Sequence, residues 1–65
     1  MHITIRAATH RGKRGFSITA IVDEMCRTRI FVQHLSTAEA IKAAYRAGRE
    51  RDWEYIDGLI REDAA

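Results

Sequence analysis

The chain predicts an α+β domain in which a three-stranded antiparallel meander packs on a C-terminal helix, with room for a second short helix. Three observations predict it. Three short runs of alternating apolar residues occupy the first half, the pattern of half-buried strands. The second half switches to apolar residues at helical spacing. The switch falls at Ser36-Thr37-Ala38-Glu39, which has the spacing of a capping box.

The first run, His2 to Ala8, sets Ile3 and Ile5 on one face and His2, Thr4 and Arg6 on the other. Thr9 to Gly15 holds two glycines and several cations and reads as a mobile loop. Phe16 to Val22 resumes the alternation and is rich in β-branched residues. Phe16, Ile18, Ala20 and Val22 share one face; Ser17, Thr19 and Ile21 share the other. Asp23 to Arg27 is expected to turn the chain. The third run, Thr28 to Leu35, places Ile30 and Val32 opposite Arg29, Phe31 and Gln33. Short connections make neighbouring strands pair antiparallel, with Phe16–Val22 central.

The apolar sheet face needs a cover, and the helix supplies it. Ser36 is expected to cap it, with Glu39 reaching back and Leu35 and Ala40 forming a weak hydrophobic staple. Ala38, Ile41, Ala44 and Tyr45 recur at helical spacing. Gly48 favours a helix end. Asp52 then caps a second segment carrying Trp53, Ile56, Leu59 and Ile60, in preference to a single bent helix.

At 65 residues, 1–65 is one domain. So short a chain buries only about 60% of its unfolded surface. Cys26 is the sole cysteine, so no internal disulfide adds stability, and self-association, in its simplest form a homodimer, is one route left open to a chain of this size. Met1-His2-Ile3-Thr4-Ile5-Arg6 lacks the apolar core of a signal peptide, and no run has the length of a membrane span. A cytoplasmic chain with a reduced cysteine and no membrane partner is expected.

Charge divides at the same junction. Residues 1–34 carry Arg6, Arg11, Lys13, Arg14, Arg27 and Arg29 against Asp23 and Glu24, whereas residues 35–65 carry more carboxylates than cations; the whole chain is +2. A basic half points toward a polyanionic partner.

Enzymatic patterns are absent. Gly12-Lys13 is followed by Arg14 rather than Ser or Thr, so the phosphate-loop pattern fails. His2, His10 and His34 lack zinc-site spacing, and no metal or other cofactor is expected. Cys26 reads as a plain turn cysteine, and the late carboxylates read as solvated ion pairs with Arg49, Arg51 and Arg61.

The outward sheet face is the more informative surface. It is expected to present Thr4, Arg6, Ser17, Thr19, Ile21, Arg29, Phe31 and Gln33, residue types that reach phosphates and base edges. Ile21 and Phe31 are apolar where a wet face is polar; they either fold over their neighbours or meet a partner. Trp53 and Tyr55 finish the small core or form a contact between proteins.

The loop Arg11-Gly12-Lys13-Arg14, the strands Phe16-Ser17-Ile18-Thr19-Ala20 and Arg29-Ile30-Phe31-Val32, and the helix opening Ser36-Thr37-Ala38-Glu39-Ala40 resemble a known arrangement. It is that of the AP2-like, three-stranded-sheet-plus-helix DNA-binding domains at the N-termini of phage and transposon tyrosine integrases. The resemblance covers about half the chain. It implies that the exposed sheet face enters the DNA major groove. Carried over by position, Arg6, Lys13, Arg14 and Arg29 would contact phosphates, and Thr19 and Gln33 would read bases; Arg11, in the same basic loop, is a further nucleic-acid-binding candidate.

The leading expectation is therefore a non-enzymatic DNA-binding module. The alternative is a free-standing protein-interaction regulator, such as a phage-encoded, anti-CRISPR-like inhibitor of a host or defence complex, using Ile21, Phe31, Trp53 and Tyr55. The two overlap where the partner is a nucleic-acid-associated protein complex.

Overall fold

The computed structural model describes residues 1–24 and 26–65; the expectations for the side chains of Met25 and Cys26 lie outside the described residues. Strands β1 (His2–His10), β2 (Lys13–Asp23) and β3 (Cys26–Val32) form an antiparallel sheet in the order β1-β2-β3, followed by helices α1 (Leu35–Arg46) and α2 (Trp53–Ala64). The expected meander and α+β class are present, and residues 37–62 are two helices rather than one.

The first two strands run further than their alternation predicted because the expected mobile loop is a two-residue turn. His10 pairs with Lys13, and the two residues between them, Arg11 (φ 51°) and Gly12 (φ 79°), both have positive φ. Two consecutive positive φ values are the mark of a type I′ turn, whose twist matches that of the flanking strands. The ladder can therefore continue to the end of the hairpin.

At the other end the register slips between Ile21 and Asp23: Ile21 pairs with Arg27, but Asp23 pairs with Cys26. An extra residue in one strand interrupts the in-out alternation. Val22, expected in the core, is accordingly exposed.

The core lies between one sheet face and the two helices. Ile18, Ala20, Val32, Ala38, Ile41, Tyr45 and Ile56 are buried together, with Ile3, Ile5, Phe16, Ile30, Leu59 and Ile60 packed around them. Each fully buried isoleucine contributes about 1.5–3 kcal/mol. The buried positions of α1, Ala38, Ile41, Ala44 and Tyr45, are those its spacing predicted. Trp53 does not join them: it is 61% exposed, and Ile56 fills the core from α2 instead.

The capping box does not form. Helix α1 begins one residue before Ser36, its N-cap residue is His34, and no side chain of its own N-terminus caps it. Leu35 is an exposed first-turn residue rather than a staple. The cap comes from α2. Asp63, 6% exposed, accepts from the Gln33 N–H at 2.6 Å and the His34 N–H at 2.9 Å. It also bonds His34 Nδ1 at 2.9 Å and the Thr37 side chain. These bonds explain why β3 stops at Val32: the next two amides are spent on a carboxylate, not on the ladder.

The link between the helices follows local rules. Gly48 has φ 77°; its N–H donates to the Tyr45 carbonyl at 3.1 Å, and Arg49 N–H donates to the Ala44 carbonyl at 2.8 Å. This is the Schellman pattern, which needs a left-handed residue and favours glycine. Asp52 then caps α2 by accepting from Tyr55 N–H at 3.3 Å.

Candidate nucleic-acid interface

Strand register sorts the predicted site residues by face. The cross-strand rows on the outer face are Arg6–Ser17–Phe31, Thr4–Thr19–Arg29 and His2–Ile21–Arg27. Arg6, Arg27 and Arg29 therefore share one surface with the hydroxyls of Thr4, Ser17 and Thr19. These six line an open depression of about 410 Å³. Lys13 has the same parity along β2 as Ser17 and Thr19 and lies on the same face at the turn end.

Arg27 was missed because the sequence reading assigned it to a turn. β3 begins at Cys26, which puts Arg27, Arg29 and Phe31 at successive outward positions. Their two-residue spacing was the available signal.

Other predicted residues leave this face. Arg14 has the parity of Phe16 and Ile18, and Gln33 lies past the end of β3. Both line a different depression with Ala7, Thr9 and Phe16. Arg11 sits at the tip of the turn rather than in a loop.

Phe31 is partly buried and committed to its neighbours. A Cβ on Gly15 would collide with the Val32 carbonyl oxygen and come within 2.6 Å of the Phe31 ring, so the ring lies over the glycine. The His10 ring packs against Phe31 with centroids 5.2 Å apart. The aromatic pair closes the sheet face at the end nearest the turn. Ile21 is likewise partly buried.

Tyr55 is engaged from within the chain. The Arg49 guanidinium stands 4.0 Å above its ring and donates to Asp52 Oδ2 at 2.8 Å. The Arg49 hydrogen bond, seconded by the Tyr55 N–H, holds the Asp52 carboxyl below its ordinary value.

Electrostatically the outer face is unbalanced. Arg49 pairs with Asp52 and His34 with Asp63; neither pair involves Arg6, Arg27, Arg29 or Lys13. Four cations thus face one way. Guanidinium groups beside hydroxyls suit phosphate oxygens, which arginine can bind through two parallel N–H bonds.

No family model, no curated protein and no solved structure matches this chain. The reading of the site therefore rests on its own geometry. Among the described residues, no group of three potential metal ligands converges, and no helix is long and apolar enough to cross a membrane.

Proposed function

We propose that this chain is a non-enzymatic DNA-binding module that lays the outer face of its sheet on the phosphate backbone. One observation carries the reading: Arg6, Arg27 and Arg29 share a depression with three hydroxyls, and Lys13 lies on the same sheet face toward the turn. The phosphates would be held by these cations, and Thr19, on the central strand between Thr4 and Arg29, would meet a base edge. Gln33 drops out of base reading because it lies off this face. The resemblance to integrase N-terminal domains supports docking in the major groove. A cytoplasmic location goes with this reading.

The alternative, a protein-interaction regulator, loses the support of Phe31, whose ring is committed to Gly15 and His10. It draws instead on Trp53, at the far end of the molecule.

The test is binding of a labelled duplex by fluorescence anisotropy as salt is raised. With about four phosphates engaged, affinity falls roughly a hundredfold between 50 and 200 mM salt. Binding that is flat across this range, or absent at 50 mM, overturns the proposal.

A further inference from the structure

A second feature is the free edge of the sheet. β1 is an outermost strand, so its far side presents a row of backbone N–H and C=O groups with no neighbouring strand. Proteins blunt such an edge with proline, a bulge or several charges. β1 has none of these. Its pairing with β2 is unbroken from His2 to His10, it contains no proline, and Arg6 is its one Lys or Arg. The opposite edge, β3, carries Arg27 and Arg29 among its 7 residues and begins beside a register slip. The core side of β1 is also unfinished. Ile3 and Ile5 pack against the core but are only partly buried, and Ala7 on the same side is exposed. Each has a neighbouring strand on one flank only.

We infer that β1 pairs antiparallel with β1 of a second copy of this chain, joining the two sheets about a two-fold axis at Ile5. The occupant and its register follow from the strand's own sequence. A two-fold axis perpendicular to the sheet keeps both helical layers on one side and opposes residues of like parity. The longest such register opposes Arg6 to itself, and like charges directly opposite are destabilising. Centring on Ala7 leaves Ile3 unpaired and sets Ile5 against Thr9, while centring on Thr4 shortens the ladder to residues 2–6. Centring on Ile5 pairs residues 2–8: Ile5 meets its own copy, Ile3 meets Ala7, and on the outer face Thr4 meets Arg6. No like charges are opposed, and the unfinished core side of each copy covers that of the other. Pairing β1 with β3 of another copy would instead set Arg6 on the strand next to Arg27 and Arg29. The contact uses the same edge of both copies and so closes at two. On the outer face the row Thr4–Thr19–Arg29 then runs on into the partner's Arg6, so the two basic faces become one. The pairing itself does not rest on DNA binding.

It is therefore tested without nucleic acid, by sedimentation velocity of the whole chain over a range of concentrations. Wild type is expected to interconvert between monomer and dimer, with nothing larger. Thr4 is exposed, and its contact with Arg6 occurs on both sides of the axis. Thr4→Glu is expected to tighten the dimer and Thr4→Arg to weaken it, each by roughly three- to thirtyfold. His2→Glu adds the same charge to the same face, opposite Ala8, and is expected to have a much smaller effect. The register is read by cross-linking in a Cys26→Ser background, which removes the sole native thiol. Opposed residues of antiparallel strands have Cα atoms about 4.5–5.5 Å apart, within reach of a disulfide. Under mild oxidation, an equimolar mixture of Thr4→Cys and Arg6→Cys chains is expected to give the mixed disulfide dimer in excess over either homodimer. Any of four results overturns the proposal: a wild type that is monomeric at every concentration, as an edge kept for a foreign strand would be; assemblies that grow past the dimer; Thr4→Glu and His2→Glu acting alike; or no excess of the mixed disulfide.

Discussion

Asp63, in the last turn of α2, caps the N-terminus of α1 through His34: its Oδ1 meets both the backbone N–H and the ring Nδ1 of His34 at 2.9 Å. A carboxylate at a helix N-terminus meets the positive end of the macrodipole and the unpaired amides there. The same carboxylate sits at the unfavourable end of its own helix, so its position is explained by α1, not α2. One residue thereby ties the end of β3, the start of α1 and the end of α2.

Replacing Asp63 with alanine strands the Gln33 and His34 amides. The expected loss is about 1–3 kcal/mol, read as a lower urea midpoint, with Asp63→Asn losing less because one acceptor oxygen remains. An unchanged midpoint for Asp63→Ala would contradict the capping role.

The same residue predicts an acid response. Burial by itself raises the Asp63 carboxyl, but bonds from the Gln33 N–H, the His34 ring, Thr37 and the His34 N–H outweigh it and leave the group below its ordinary value. A depressed folded value means that the unfolded chain binds the proton more readily, so stability rises with pH through this window. The contribution is complete above the unfolded value of about 3.9 and is lost as pH falls below that through the lower folded value. Thermal midpoints measured from pH 6 down to pH 2 should fall more steeply for wild type than for Asp63→Asn.

Much of this architecture was legible in local signals, and its exceptions are non-local. The alternation around Ile18 and Val32, the spacing of Ile41 and Tyr45, and the punctuation at Gly48 and Asp52 each act over a few residues, and each is present in the fold. Ser36 and Glu39 have capping-box spacing, yet spacing alone cannot weigh a carboxylate 29 positions from His34. The charge reading failed at Asp63 for the same reason, since a residue among solvated carboxylates looks like them until α2 folds back. On the sheet, the bulge beyond Ile21 and the tight turn at Arg11-Gly12 moved strand ends by several residues. They exposed Val22, brought Arg27 onto the outer face and confined Arg14 to the other.

Gly15→Ala tests how closely Phe31 covers the sheet. The added methyl would meet the Val32 carbonyl and the Phe31 ring, and overpacking of this kind costs about 1–3 kcal/mol. The variant should have a lower thermal midpoint. If it is as stable as wild type, Phe31 does not lie over Gly15.

Gly48→Ala tests the Schellman end of α1. Alanine at φ 77° is strained, so a loss of about 1 kcal/mol is expected in urea denaturation, with Gly48→Asn milder because asparagine tolerates that region. Equal stability of all three chains would mean that the left-handed residue is not required.

The outer-face reading is tested most directly by comparing two paired variants for binding to one labelled duplex across a salt series. Arg27→Ala with Arg29→Ala removes two of the four cations on the sheet face; Lys42→Ala with Arg46→Ala removes the same charge from α1. The sheet-face pair should weaken binding at 50 mM salt and reduce the salt slope by about 2, while the helix pair should leave the slope near that of wild type. Equal losses from both pairs, or a larger loss from the helix pair, would contradict a DNA site on the outer face of the sheet.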